Sequence, residues 1–235
     1  GKGTTQLIPS LLYGDTNSVV VIDPKGENAA ITSQFRGRIS DKFVLFNPWN
    51  LHDLGCDAIN PFDLLDPEDP LVIDDIDLVA ELIVPVEDGN QAHWSERARQ
   101  MISGLMLYLI FHLPAEKRNP LTLRSLLRQS PDDWAAMLQF MQASDKAGGL
   151  VAEAGNEIAG YGQNEMASVR STAQRATDVF KGPAMDRALT SSDVDIREIT
   201  TKQMAIYLMI PADKLSTHHR VTRLLIGLLM KTPIR

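Results

Sequence analysis

A chain of 235 residues, 44% hydrophobic and 23% charged, can bury a sizeable core as one large domain or two smaller ones, and its apolar runs fall short of a membrane span. The net charge of −7 is unevenly spread: thirteen Asp or Glu and no Lys or Arg lie between Phe43 and Glu96, so the remainder, 23 basic against 17 acidic residues, sums to +6, and any DNA-binding face belongs there. The single cysteine, Cys56, excludes an internal disulfide and a thiolate metal cluster, and the five histidines lack zinc-motif spacing.

Gly1-Lys2-Gly3-Thr4 opens the chain like the closing half of a phosphate-binding loop, in which backbone N–H groups curl around a phosphate while the lysine reaches the outer phosphates. The glycine that opens such a loop is not in the sequence, and a Gly-Lys pair alone says little. Leu7, Ile8, Leu11 and Leu12 then share one helical face, with Pro9 tightening or kinking the first turns and Gly14-Asp15 ending the segment. Ser18 to Ile22 (SVVVI) is a short β-branched run of the kind buried in a parallel sheet, and it stops at Asp23-Pro24-Lys25-Gly26-Glu27. Lys42 to Phe46 is a second such run, stopping at Asn47-Pro48-Trp49. Glycine turn, helix, strand, helix, strand is the rhythm of an α/β nucleotide-binding fold.

The rhythm then breaks. The acidic segment around Pro67-Glu68-Asp69-Pro70 reads as a linker, and helical patterns follow at Asp74 to Ile83 and His93 to His112, the latter becoming apolar on all sides, the mark of a central buried helix. Leu121 to Leu127 and Asp132 to Met141 each begin near a proline and a Ser or Thr cap. Beyond Gly148-Gly149 a helix runs to about Ile158, and beyond Gly162 another carries Met166, Val169, Ala173 and Phe180 near heptad spacing. The α/β rhythm returns with Gln203 to Ile210 (QMAIYLMI), a buried strand ending at Pro211, and Thr217 to Met230, an amphipathic helix with His218-His219 at its polar start. Trp49 and Trp94 are expected in packing roles, and Cys56 as a small buried apolar residue. The expectation is an α/β domain, residues 1–70 and 186–235, truncated at both ends and holding an inserted all-α domain, residues 71–185.

An ordered series of short motifs resembles one family over nearly the whole chain: GKGT followed by LIPSLL, VVVIDPKGEN with Thr32 and Arg36 behind it, FNPW, INPFDLL, HWSERAR at the head of a long apolar helix, SDVDI, and IYLMIP before a leucine-rich helix. The series is similar to that of the type IV secretion coupling proteins, the TraG-like family. The resemblance implies a P-loop (RecA-like) fold that binds ATP and Mg²⁺, a homo-hexamer, and relaxase, adaptor or effector proteins, other secretion subunits and DNA as candidate partners. It also implies the cytoplasmic face of a bacterial inner membrane, with the anchor upstream of this chain.

Residue by residue, the resemblance makes Gly1, Lys2, Gly3 and Thr4 nucleotide ligands, with Lys2 neutralising charge on the transferred phosphoryl group. Thr4 is the candidate Mg²⁺ ligand, although a general P-loop sets Ser or Thr directly after the lysine, where Gly3 stands here. Asp23 and Glu27 end a buried strand, where ligands gather in open α/β sheets. Asp23 is then either a nucleotide-side residue or the cap of a turn, and Glu27 either positions a water or senses a neighbouring subunit. The acidic strand that follows the leucine-rich helix in such ATPases is not in the sequence, so this fragment is not expected to turn over ATP. The alternative is a non-catalytic cargo- or adaptor-binding module on an α/β scaffold.

Overall fold

The computed structural model describes residues 6–13, 17–85, 89 and 92–231. In chain order these form α1 (Ile8–Tyr13), β1 (Val19–Ile22), α2 (Glu27–Ile39), β2 (Lys42–Phe46), α3 (Val72–Ile83), α4 (Ala92–His112), α5 (Pro120–Leu126), α6 (Pro131–Gln142), α7 (Leu150–Ala159), α8 (Gln163–Thr177), α9 (Pro183–Leu189), β3 (Met204–Leu208) and α10 (Ala212–Lys231). Chain contacts gather them into two compact units, one drawn from the segments up to Asn60 and from Pro183 onward, the other Pro61–Gly182. Among the described residues no helix is long and apolar enough to cross a membrane.

In the α/β unit three strands form a parallel sheet in the order β1-β3-β2. Val19 pairs with Ala205 and Ile22 with Leu208 on one side of β3, and Lys42 with Met204 and Phe46 with Leu208 on the other. Central β3 is buried along its whole length, which is why it reads as an unbroken apolar run rather than an alternating one. One face of the sheet packs Val21, Leu45, Ala205 and Tyr207 with Leu11 of α1 and Ala29 of α2. Leu7, on the same sequence stripe as Leu11, stays 40% exposed, so α1 buries a narrower face than its four apolar residues suggest. The helix expected from Thr217 begins at Ala212 and is broken at His218, whose φ of −114° and ψ of 15° are not helical. His218-His219 therefore marks a kink inside α10 instead of its start.

The helical unit is centred on α4, whose Ala98, Met101, Ile102, Leu105, Met106, Leu109 and Ile110 have no exposed surface. α4 packs against α3, α5, α7 and α8, and α6 against α7. Pro120 and Pro131 take the first helical positions of α5 and α6, where a missing N–H costs nothing. The caps are Asn119, accepting from Thr122 N at 3.0 Å, and Ser130, accepting from Asp133 N at 3.2 Å; α5 thus takes an Asn where a Ser or Thr was expected. The acidic stretch read as a linker is a run of turns, in which Asp66 accepts from Glu68 N and Asp69 from Leu71 N, leading straight into α3. Just before it the 3₁₀ turn Pro61–Leu64 buries Phe62, so the compact unit starts at Pro61, upstream of the expected division at residue 71, and ends at Gly182, before the expected 185.

Candidate nucleotide site

Gly1, Lys2, Gly3 and Thr4 lie outside the described residues. What is described is the carboxyl edge of the sheet. Directly after β1 stands Asp23, a carboxylate only 1% exposed. Its Oδ2 accepts from Ala29 N at 2.8 Å and its Oδ1 from Asn28 Nδ2 at 3.1 Å, while its own N–H donates to Leu208 O at 2.9 Å. Oδ2 thus takes one of the free backbone N–H groups in the first turn of α2, whose positive dipole end welcomes it, and Oδ1 takes the side-chain amide of Asn28 in the same turn. The chain reaches α2 through Gly26 at φ 70°, and a Cβ there would stand 2.7 Å from His52 Cδ2 and 2.8 Å from Met209 Cε. The left-handed φ and the close approach both favour glycine at this corner. Glu27, the first residue of α2, is exposed and holds no hydrogen bond or ion pair among the described residues. Of the two carboxylates singled out in the sequence, Glu27 is the one with a side chain open to an incoming group. Among the described residues no three His, Cys, Asp or Glu converge as a metal site.

Behind this edge α2 buries a polar row. Thr32 donates its hydroxyl to Asn28 O at 2.6 Å and so accepts from the Tyr207 hydroxyl at 2.6 Å. One turn further, Arg36 is 1% exposed, with Nε donating to Leu11 O at 2.7 Å and Nη2 to Ser10 O at 3.3 Å. Burial pushes the Tyr207 phenol above its ordinary range, against the opposing pull of the Thr32 hydrogen bond and the Arg36 charge. The row runs from the capped amino end of α2 to the carbonyl end of α1, the helix that directly follows Gly-Lys-Gly-Thr.

The loop after β2 is the part the sequence concealed. Asn50, His52, Asp53 and Gly55 all have positive φ, three of them without the freedom of glycine. Side chains hold them there: Asn47 accepts from Leu51 N at 2.8 Å and donates to Leu51 O, Asn50 accepts from Gly55 N at 2.9 Å, and His52 Nε2 lies 2.8 Å from Lys25 O. Cys56 is half-buried rather than fully so, its thiol pushed up by burial, with Sγ 3.4 Å from Asn47 N. Trp49 packs edge-on against His218 with ring centroids 4.9 Å apart. The Ser-Asp of SDVDI clasps the next stretch: Asp193 accepts from Ala58 N at 2.8 Å and Ser192 from Asn60 N at 2.9 Å. Only the residue order hinted at this clasp.

The arginines that the charge asymmetry offered to DNA are engaged inside the helical unit. Arg97 pairs with Glu157 at 2.9 Å, Arg99 with Glu96 at 2.7 Å and Arg128 with Asp178 at 2.8 Å. Arg170 lies 4.2 Å from the centre of the Trp134 ring while donating to Leu127 O and Gln129 O.

Comparison with known proteins gives one family throughout. The family model described as Type IV secretory system Conjugative DNA transfer matches residues 1–233. A conjugal transfer protein TraG of Escherichia coli is 26% identical over 226 residues, 91% of this chain and 35% of that protein, and a second Escherichia coli TraG is 25% identical over the same share. The chain thus spans about a third of these relatives. The fold matches that of the bacterial conjugative coupling protein TrwBdeltaN70 in complex with sulphate at a TM-score of 0.61, with 15% identity over 95% of this chain and 46% of that one. The plasmid coupling protein TrwB in complex with ADP and Mg²⁺ gives a TM-score of 0.57, with 16% identity over 95% of this chain and 47% of that one. A model matched almost end to end, with relatives and folds that agree, leaves one conclusion: the chain belongs to the type IV secretory conjugative DNA transfer family, the coupling proteins.

Proposed function

We propose that the chain is the nucleotide-handling and cargo-receiving part of a coupling ATPase that brings a relaxase–DNA complex or an effector protein to a secretion channel and drives its transfer by ATP hydrolysis. The observation that carries the reading is the carboxyl edge of the sheet, where Glu27 keeps its carboxylate exposed beside the left-handed turn at Gly26. In the complete protein Gly1, Lys2, Gly3 and Thr4 hold the nucleotide phosphates, with Thr4 toward Mg²⁺. Lys2 supplies positive charge, and the metal adds charge neutralisation at the phosphates. Glu27 orients a water or meets a neighbouring subunit of a hexamer at the cytoplasmic face of the inner membrane. Asp23 serves this site from behind, by fixing the amino end of α2.

The helical unit is proposed as an independently folding all-α domain that recruits the cargo. The deciding experiment is turnover of ATP by the complete protein with and without Mg²⁺, compared with Lys2→Ala. Magnesium-dependent turnover lost in a folded Lys2→Ala variant is the expected result. Wild-type turnover in that variant would remove Lys2 from the site, and no turnover by the complete protein would favour the second reading, a non-catalytic module. The second reading takes its support from Asp23, whose Oδ2 accepts a backbone N–H of α2 and whose Oδ1 accepts the Asn28 amide.

A further inference from the structure

The helical unit carries a groove of about 640 Å³ between α3, α4 and α7. Its floor is apolar, with Leu78, Leu107 and Leu150, and α7 comes close to α4 there: a Cβ on Gly104 would lie 2.9 Å from the Ala154 Cβ. Its walls are acidic. Asp74, Asp77, Glu81, Glu96, Glu153 and Glu157 line it, against Arg99 as the lining cation. Glu96 and Glu157 have arginine partners and Asp77 receives the Ser103 hydroxyl at 2.6 Å, whereas Asp74 and Glu153 join no ion pair among the described residues. Helix dipoles explain acids in the first turns, as at Asp74 and Glu153, but Glu81 stands in the last turn of α3, where the dipole opposes it. The concentration of charge is therefore not simply a device for helix stability.

The arrangement of these carboxylates selects the occupant. They are spread along the groove, and among the described residues no three converge to hold a metal ion. Nucleic acid is repelled by the same charge. An apolar floor between acidic walls suits a side chain with an apolar stem and a cationic head, as lysine and arginine have. We propose that the α3–α4–α7 groove docks a lysine- and arginine-bearing segment of the protein cargo, a proposal that rests on the recruiting role given above to the helical unit. Opposed charges set the encounter and its salt dependence, and the aliphatic stems lie along the floor.

The test uses the 235-residue chain and a labelled synthetic peptide with lysines along one helical face and leucines along the other, beside the same peptide with glutamate for lysine. The expected result is binding of the lysine peptide alone, weakened by salt. Asp74→Asn with Glu153→Gln should weaken it roughly tenfold, while Glu116→Gln with Asp132→Asn, which remove as much charge elsewhere on the unit, should leave it unchanged. Equal loss in the two pairs of variants, or equal binding of the glutamate peptide, would overturn the proposal. So would Mg²⁺ or Ca²⁺ alone occupying the groove, or a dimer of the chain that the groove variants abolish. In the complete protein, cargo retained by wild type should be lost in the groove variants. Retention in both would defeat the groove while sparing the recruiting role. Wild type that holds no relaxase, adaptor or effector, yet still binds the peptide, would defeat the recruiting role and with it the groove's part in it.

Discussion

Arg36, enclosed in α2, donates its Nε to the carbonyl of Leu11 near the end of α1 at 2.7 Å. No carboxylate pairs with it among the described residues, so its charge is balanced by the carbonyl end of α1, where the helix dipole is negative. Replacing a buried guanidinium with an apolar side chain removes a desolvation penalty but leaves two carbonyls without donors. The second effect should win, because hydrogen bonds from a charged donor are worth about 1.5–3 kcal/mol each. Arg36→Met is expected to lower the unfolding free energy by about 2 kcal/mol in urea titrations, and Arg36→Lys by less. A Met variant as stable as wild type would show the row to be dispensable.

Gly26→Ala should be costly for two separable reasons. A left-handed alanine costs on the order of 1 kcal/mol, and its Cβ meets His52 and Met209. His52 is exposed and can move, though at the expense of its contact with Lys25 O. Gly26→Ala is therefore expected to destabilise by about 2 kcal/mol, and by measurably less when combined with His52→Ala. Additive losses in the double variant would mean that backbone strain, and not the histidine, sets the cost.

Stability should fall on mild acidification. Burial lowers the His112 pKa from the usual 6.5, Lys146 lowers it further and Asp145 opposes, while Nε2 sits 2.7 Å from the Ser144 hydroxyl. Burial likewise lowers His218. The folded imidazoles bind a proton less readily than the unfolded ones, so the unfolded state takes up more protons as pH drops, and stabilisation present above that range is lost within it. Asp195, whose pKa Arg197 lowers, adds a further loss only in the carboxylate range. The unfolding midpoint should drop between about pH 7.5 and about pH 5.5, and His112→Gln, which can keep the Ser144 contact, should flatten that drop. An unchanged slope would assign the effect elsewhere.

Strand β3 and helix α4 could be read directly because burial on all sides leaves an apolar run that needs no partner to interpret. Glu27 could be singled out as a charge following a buried strand, but its exposure and lack of a partner among the described residues needed the structure. Arg36 was not, because an arginine one turn after Thr32 reads as solvated until α1 is seen to end over it. The left-handed positions Asn50, His52, Asp53 and Gly55 were hidden for another reason: Asn47, Asn50 and His52 hold the loop by side-chain bonds, and residue types that tolerate a strained backbone do not announce it. Asp193 and Ser192 lie far in sequence from the backbone they clasp, and such long-range pairing leaves no local pattern.

The boundary of the helical unit gives the last prediction. A piece spanning residues 61–182 is expected to unfold cooperatively, since the apolar face of α4 is covered by helices within it. A piece spanning 71–185 omits Phe62 and Leu65, which are 1% and 3% exposed. Burying one large apolar side chain is worth about 1.5–3 kcal/mol, so the shorter start should cost the unit about 3–6 kcal/mol, a large part of what a domain of this size possesses. Comparison of the two pieces by urea titration and calorimetry checks this directly. Equal stability would place the boundary at the acidic turns after all, and a non-cooperative 61–182 piece would mean that the helices depend on the α/β unit to fold.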